Sequence, residues 1–274
     1  MRIARFLLLG LLGLILLGGA GFIVWASIPS RPMPEAMAAL ATDNQVLVQD
    51  QGWLVFTPVS SEPRTGLIFY PGGRVDARAY APMAHAIAEG GYLVVIVPMP
   101  LNLAVFGSAR AQDVIDAYPG VQQWVIGGHS LGGAMAARFT YQNPSSVQGL
   151  VLMASYPASS DDLSGYDLEV LSIYGTLDAV MRDGSIESSR SLLPPETRWA
   201  PVEGGNHAQF GWYGSQSGDA QAAITRFEQQ DAVVRETIRF LQELEQRQGG
   251  SRGESIEAVI PSCELFPLSA SEGG

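Results

Sequence analysis

Apolar residues occur along this chain in short runs that alternate with helix-like stretches. Eight runs from Gln45 onward have the length of β-strands, and from the third onward, as in GLIFYPG and YLVVIVP, they are continuously apolar. Such runs are typical of parallel strands covered by helices on both faces. The pattern predicts an α/β fold with a doubly wound, mostly parallel sheet and right-handed crossovers. No helix-like stretch separates the first two runs, which predicts an antiparallel hairpin at the N-terminal edge.

The helix-like stretches lie between these strands. They cover residues 77–89, 108–117, 131–142, 183–192 and 220–246. Only the short segment PASSDDLSGYDL separates the sixth strand, GLVLMAS, from the seventh, EVLSIYG. A cap domain inserted at this point needs a far longer segment, so the sequence predicts no large cap.

The first 30 residues form a separate part of the chain. After Arg2 and Arg5, the 21 residues from Phe6 to Ala26 carry no charge. A helix of this length spans the hydrocarbon core of a bilayer, which is about 30 Å thick. Residues 1–30 are therefore predicted to be a transmembrane anchor or a signal segment. The length favours the anchor, although Ala26 before Ser27 is an acceptable signal cleavage site.

Positive charge at the N-terminus predicts that this end stays cytoplasmic and that the remainder of the chain crosses the membrane. After signal cleavage the same domain would be secreted or periplasmic. The proline-rich stretch SIPSRPMPE predicts a short stiff spacer, residues 31–44 are predicted to be a linker, and residues 45–248 a single domain. Residues 249–274 are rich in Gly, Ser and Glu, which predicts a flexible C-terminal tail.

Charge and cysteine usage exclude several classes of protein. The 16 basic residues, all arginine, face 27 acidic ones, giving a net charge of −11. Such a surface repels phosphate backbones, so nucleic-acid binding is not expected. A single cysteine, Cys263, excludes an internal disulfide framework, and three histidines without i, i+4 spacing give no signal for a metal site.

The stretch GGHSLGGAMAARF places Ser130 between a strand and a helix. Gly128 and Gly132 flank it in a G-x-S-x-G pattern, which on its own is weak evidence. The strand–turn–helix context is that of a nucleophile elbow, where small flanking residues let the serine project from the sheet. The alternative is a helix-capping serine in a glycine-rich turn. We predict that Ser130 is a nucleophile.

A serine nucleophile needs a base and a group that orients the base. Asp178 follows the strand EVLSIYG, and His207 follows the strand TRWAPVEG. The chain order serine, aspartate, histidine is that of α/β-hydrolases. The competing aspartates, none of which follows a core strand so directly, are Asp161, Asp162, Asp167 and Asp183. The other histidines, His85 within a helix and His129 within the elbow, are weaker candidates for the base.

Attack by a serine on a carbonyl also requires two backbone donors for the oxyanion. The N–H group of Leu131, directly after the nucleophile, is the first candidate. The second is expected from the loop YPGGRV after the third strand, at Gly73 or Arg74. An ordinary glycine turn at this position is the alternative.

Two segments are candidates for lining a substrate pocket. Met99 and Leu101 lie in the loop after the fourth strand, and Phe210 and Trp212 follow His207. Aromatic residues at such positions can equally pack in the core. An open site without a cap would admit small or medium esters, thioesters or lipid-derived esters presented near the membrane.

Four stretches carry a resemblance to a known family: YPGGRVDARAYAPMA, GGHSLGGAMAARF, YGTLDAV and GGNHAQFGWYGSQSGDAQA. They resemble the α/β-hydrolase superfamily, and within it the small lidless alpha/beta hydrolase 5 group, which is related to dienelactone hydrolases. The resemblance implies a triad of Ser130, Asp178 and His207, ester hydrolysis through an acyl-enzyme, and no cofactor. Dienelactone hydrolases use a cysteine nucleophile where this chain has serine, which argues against dienelactone as the substrate.

Two other functions fit the same residues. An acyltransferase or perhydrolase would use the same fold with an acceptor other than water, and competing nucleophiles distinguish it from a hydrolase. A non-catalytic, membrane-tethered binding protein would not react with a serine-directed probe. The expected partners are a small-molecule ester and, through the N-terminal helix, a membrane; the sequence gives no signal for an oligomeric state.

Overall fold

An eight-stranded sheet forms the centre of the molecule, and the predicted α/β fold is confirmed. The computed structural model describes residues 2–60, 62–181 and 184–249. The strands are β1 (Val46–Asp50), β2 (Leu54–Pro58), β3 (Thr65–Tyr70), β4 (Leu93–Ile96), β5 (Gln123–His129), β6 (Gly149–Met153), β7 (Glu169–Gly175) and β8 (Arg198–Val202). Their order is β1-β2-β4-β3-β5-β6-β7-β8. β2 is antiparallel to β1 and β4, as the predicted N-terminal hairpin requires, and the other neighbouring pairs are parallel.

Seven α-helices occur in the described residues. They are α1 (Arg2–Ala26), α2 (Pro34–Ala38), α3 (Ala81–Glu89), α4 (Ala111–Ala117), α5 (Leu131–Gln142), α6 (Ser185–Ser189) and α7 (Arg226–Gly249). Short 3-10 helices occur at Ala77–Tyr80, Pro100–Asn102, Ala104–Phe106, Ser108–Arg110, Arg190–Leu192 and Ala208–Phe210.

The last helix begins later than its apolar pattern predicts. Residues 220–225 are not helical, because Thr225 and Glu228 form a capping box that starts α7 at Arg226. The Thr225 N–H donates to the Glu228 carboxylate at 2.7 Å, and the Glu228 N–H donates to the Thr225 hydroxyl at 3.2 Å. Residues 220–224 instead contact the loop that follows β8.

Strand side chains alternate between two cores, one on each face of the sheet. Leu67 and Phe69 pack on the face that α3 and α7 cover, whereas Ile68 and Tyr70 pack with residues of α4 and α5. Coverage on both faces explains why the sequence of these strands is apolar without alternation. Residues 154–168, between β6 and β7, contain no helix or strand, so no large cap is present there, as predicted.

The N-terminal part has a different environment. Leu9–Ala26 of α1 has a mean hydropathy of 2.2, and 6% of this stretch is buried. Residues 31–44, predicted to be a linker, pack against the domain rather than standing clear of it. The Met33 N–H donates to the Trp212 carbonyl at 2.8 Å, and Ala36 of α2 is fully buried. The predicted tail, apart from residue 249, and Cys263 within it lie outside the described residues.

Candidate active site

Ser130 occupies the turn between β5 and α5 with a backbone conformation of φ 52° and ψ −122°. Few side chains tolerate this region, and backbone strain of this kind is concentrated at functional sites. A Cβ atom at Gly128 would lie 2.5 Å from the carbonyl carbon of Gly132. A Cβ atom at Gly132 would overlap the carbonyl oxygens of Tyr70 and Pro71. Both flanking glycines are therefore required by close backbone packing.

Hydrogen bonds from the neighbouring strand hold the strained turn in place. The Ser130 N–H donates to the carbonyl of Met153 at 2.9 Å, and the Ser155 hydroxyl donates to the carbonyl of Ser130 at 2.7 Å. The Ser130 backbone is thus fixed on both sides, while its side chain stays partly exposed at the carboxyl edge of the sheet.

Asp178 and His207 come together at the same edge. Nδ1 of His207 lies 2.7 Å from Oδ2 of Asp178, and both side chains are almost fully buried. The other carboxylate oxygen accepts the N–H groups of Val180 at 2.9 Å and Met181 at 3.0 Å. With the Asp178 carboxylate as the acceptor, Nδ1 carries the imidazole proton and Nε2 is left with a lone pair.

The serine–histidine hydrogen bond is not formed. Nε2 of His207 is buried and has no hydrogen-bond partner among the described residues, Ser130 included. The ring of His129, the residue before Ser130, lies 4.6 Å from the ring of His207. The structure thus joins the candidate acid Asp178 to the candidate base His207, and Ser130 follows His129, whose ring lies beside that of His207.

The other candidate acids and bases have different surroundings. Asp161 lies 3.6 Å from Arg138 in a salt bridge, and Asp183 lies outside the described residues. His85 contacts the carboxylates of Asp43 at 3.4 Å and Glu89 at 3.2 Å. These three side chains lie close enough together to hold a cation, but clusters of exposed acidic groups are common without one.

Sequence reasoning missed Asp219, which connects the Asp178 and His207 loops. Its carboxylate accepts the N–H groups of Ala179 at 3.3 Å, His207 at 3.3 Å and Ala208 at 2.8 Å. An aspartate twelve residues after the histidine follows no strand and belongs to no local motif, so the sequence offers no signal for this role.

Two residues of α7 also hold the histidine loop. The Gln229 side chain accepts from the Asn206 N–H at 3.0 Å and donates to the Asn206 carbonyl at 2.8 Å. The Arg226 guanidinium donates to the carbonyls of Ala208 at 2.7 Å and Gly214 at 2.9 Å, and to that of Gly211. A glutamine on the buried face of α7 was the available sequence signal, because a polar side chain there needs a partner.

The structure separates the candidates for the oxyanion donors. The Arg74 N–H already donates to the Asn102 carbonyl at 2.7 Å, which favours Gly73 over Arg74 as the second predicted donor. The N–H groups of Gly73 and Leu131 donate to no backbone carbonyl in the described part of the chain. A Cβ atom at Gly73 would lie 3.1 Å from the Leu131 side chain, so the two segments are adjacent.

A buried hydrogen-bond relay links the loop around Gly73 to the segment that carries Ser130. The Gly72 N–H donates to the Tyr80 hydroxyl at 3.0 Å, and that hydroxyl lies 2.8 Å from Nδ1 of His129. Burial lowers the pKa of His129 well below its ordinary value, so the ring is neutral and its Nδ1 accepts a hydrogen bond from the Tyr80 hydroxyl. The sequence marked His129 only as the variable residue of the elbow, yet its ring lies between both sides of the site.

The four predicted substrate-binding residues occupy different environments. Leu101 is partly exposed in the loop after β4, with a φ of 52°. Met99 lines a cavity of about 170 Å³ whose lining does not include Ser130. Phe210 is fully buried and stacks on His129, with ring centroids 5.7 Å apart. Trp212 is 4% exposed and packs edge-on against Phe227, so the structure places both aromatic residues in the core rather than in a substrate pocket.

Comparisons with known proteins agree with this fold. Residues 66–231, more than half of the chain, match the model of the alpha/beta hydrolase family, and the chain belongs to that family. No curated protein sequence gives a significant match.

Solved structures with the same fold come from several bacteria and an archaeon. A hydrolase from Thermoplasma acidophilum described as CIB-like is 20% identical, with a TM-score of 0.55 over 74% of this chain and 99% of that one. The carboxylesterase CesB from Bacillus subtilis is 14% identical, with a TM-score of 0.53 over 80% of this chain and 96% of that one. Est1E from Butyrivibrio proteoclasticus is 10% identical, with a TM-score of 0.52 over 74% of this chain and 99% of that one. At these identities the likeness concerns the fold alone.

Proposed function

We propose that this protein is a serine hydrolase that cleaves small or medium carboxylic esters or thioesters through an acyl-enzyme. The observation that carries the proposal is the buried Asp178–His207 hydrogen bond of 2.7 Å beside the strained Ser130 turn. The carboxylate holds the imidazole in the tautomer whose Nε2 lone pair can accept a proton. Nε2 of His207 is buried without a hydrogen-bond partner among the described residues, which is unusual for a polar atom. A role as the proton acceptor of the Ser130 hydroxyl explains why this nitrogen is left free.

The reaction follows from these groups. Oγ of Ser130 turns about its single Cα–Cβ bond, gives its proton to Nε2 of His207 and attacks the carbonyl carbon. The N–H groups of Gly73 and Leu131 donate to the resulting oxyanion, and Leu131 lies at the N-terminus of α5, where negative charge is favoured. The leaving alcohol or thiol takes the proton from the imidazolium. Water then repeats the sequence on the acyl-enzyme and releases the acid.

We further propose that α1 remains attached as a membrane anchor with the catalytic domain on the extracytoplasmic side. The domain binds the end of α1 directly: the Arg74 side chain donates to the Trp25 carbonyl at 3.0 Å, and that of Asn102 to the Ala26 carbonyl at 3.0 Å. Cleavage after Ala26 would leave the Arg74 guanidinium without the Trp25 carbonyl. The mass of the mature protein recovered from membranes tests this, because a chain that begins at Ser27 contradicts it.

A fluorophosphonate probe tests the catalytic mechanism. We expect the wild type to be labelled, and both Ser130→Ala and His207→Gln to lose labelling and the hydrolysis of p-nitrophenyl esters. His85→Gln is the matched control, because His85 is a partly buried histidine outside the site, and it should react like the wild type. Labelling that persists in Ser130→Ala would rule out the proposed nucleophile. A p-nitrophenyl and thioester series of increasing acyl length then defines the substrate range.

A further inference from the structure

The end of α1 docks on the oxyanion side of the candidate site. The Arg74 guanidinium donates to the carbonyls of Trp25 at 3.0 Å and Ile28 at 2.9 Å, and it lies 4.2 Å from the centre of the Trp25 ring. Asn102, whose carbonyl accepts the Arg74 N–H, bonds to the carbonyl of Ala26. The orientation of α1 relative to this rim is therefore set by several directed contacts.

An apolar turn of the catalytic domain lies alongside α1. Val105 is 47% exposed and Phe106 is 52% exposed, both in the 3-10 helix Ala104–Phe106. The Phe106 ring packs edge-on against Phe22 of α1, with centroids 6.3 Å apart. Phe22 precedes the end of the apolar span by four residues, which is about 6 Å along a helix axis. If α1 crosses a bilayer, Phe106 therefore lies at the same depth as Phe22, just inside the apolar layer of the membrane.

The same loop borders the oxyanion segment. The Leu103 side chain lies 3.7 Å from the position of a Cβ atom at Gly73, and Gly73 adjoins Leu131 at the start of α5. The apolar turn and the candidate oxyanion donors are thus parts of one rim. A membrane that covers the turn would also lie beside the mouth of the site.

We propose that the turn Ala104–Phe106 inserts Val105 and Phe106 into the interfacial layer of the membrane that holds α1. The oxyanion rim then faces the lipid, and the site takes acyl esters that partition into the bilayer. Continuity with α1 identifies lipid as the occupant of this surface, since the exposed aromatic side chains of the turn and of Trp25 are of the type enriched at membrane interfaces. The substrate part of this inference rests on the proposed hydrolase function; the position of the turn does not.

A fluorescent label reports the depth of the turn. The full chain in phosphatidylcholine vesicles, with Cys263→Ser as background, carries Phe106→Cys labelled with nitrobenzoxadiazole. Val59→Cys is the matched control: Val59 is 57% exposed but follows β2 at the opposite end of the sheet. We expect blue-shifted emission and quenching by nitroxide-labelled lipid at position 106 only. A label at 106 that is as solvent-exposed as the one at 59 overturns the proposal.

Hydrolysis of two substrates tests the consequence for function. Phe106→Asp should leave the hydrolysis of soluble p-nitrophenyl acetate unchanged and lower that of a long-chain acyl ester embedded in vesicles by about tenfold. Val59→Asp should change neither rate. If Phe106→Asp and the wild type hydrolyse the embedded ester at equal rates, the substrate inference is wrong. It is also wrong if the wild type cleaves the soluble ester but not the embedded one. A wild type that cleaves neither ester contradicts the hydrolase function instead, while the fluorescence result still decides the position of the turn.

Discussion

The two sides of the candidate site are held together in different ways. On the acid–base side, Asp178 and His207 are fixed by side chains of the domain itself, above all Asp219 and Gln229. On the proposed oxyanion side, the loop around Gly73 is fixed by backbone hydrogen bonds and by Arg74, whose side chain binds the end of α1. The comparison shows that the first side depends only on the folded domain, whereas the second also depends on the N-terminal helix.

Ser130 and His129 lie where the two sides meet. The His129 ring contacts Tyr80 of the oxyanion side at 2.8 Å, and its ring centre lies 4.6 Å from that of His207. Substitutions on the two sides should therefore lower activity for different reasons. On the acid–base side they should impair proton transfer, and on the proposed oxyanion side they should weaken stabilisation of the transition state.

The largest effect is expected for Asp178→Asn. An asparagine in place of a triad aspartate favours the wrong histidine tautomer, and in a well-studied serine protease this lowers kcat by about 10⁴-fold. We expect a loss of this order in p-nitrophenyl ester hydrolysis with little change in the circular dichroism spectrum. Asp162→Asn, at an exposed aspartate, is the control. Activity near the wild-type level in Asp178→Asn would remove this residue from the triad.

A smaller loss is expected for Asp219→Asn, which weakens the connection between the acid and base loops. Hydrogen bonds to a charged group contribute about 1.5 to 3 kcal/mol each, so kcat/KM should fall roughly tenfold to a hundredfold. Because Asp219 positions rather than reacts, the rate of fluorophosphonate labelling should fall in parallel while the labelled residue stays Ser130. If labelling and turnover both match the wild type, Asp219 has no positioning role.

Arg74→Ala tests the oxyanion side. Without the guanidinium, the end of α1 loses two hydrogen bonds and the loop beside Gly73 loses its attachment. We expect kcat to fall about tenfold with KM unchanged, which is less than the loss of a whole oxyanion donor. Arg78→Ala is the matched control, since Arg78 lies four residues after Arg74 and its guanidinium pairs with Asp76 instead of with α1. Equal rates for the two variants would mean that the α1 contact does not shape the site.

The smallest effect concerns the pH dependence of stability. The folded pKa of His129 is depressed by burial, so the unfolded chain binds this proton first as the pH falls. The contribution of the neutral His129 ring to the free energy of unfolding is complete above the ordinary histidine pKa of about 6.5. Below that pH the free energy of unfolding falls by about 1.4 kcal/mol for each pH unit. His207, Tyr80 and Tyr213 face this ring and stay unchanged in the test.

His129→Gln should remove this loss while keeping an acceptor for the Tyr80 hydroxyl. Urea unfolding followed by tryptophan fluorescence at about pH 7.5 and about pH 5 gives the comparison, with the free energy of unfolding falling less in the variant. Parallel falls in the two proteins would show that His129 is not kept neutral by the fold.

The sequence predicted the fold and the positions of the candidate site residues because both depend on local order along the chain. Continuous apolar runs indicate buried parallel strands, and Ser130, Asp178 and His207 each follow one of them. It could not predict environments that depend on distant partners. Phe210 and Trp212 are core residues, residues 31–44 pack on the domain, and the Arg74 N–H is bonded to Asn102.

What the sequence determined by itself was the alternation of strands and helices, the strained turn at Ser130 and the order of the acid and base along the chain. Only the tertiary structure decided that Asp219 joins the Asp178 and His207 loops, that Tyr80 connects the loop around Gly73 to His129, and that the end of α1 docks beside Gly73. The reason is physical: a turn or a strand is specified by neighbouring residues, whereas a hydrogen bond between segments tens of residues apart exists only once the sheet has aligned them.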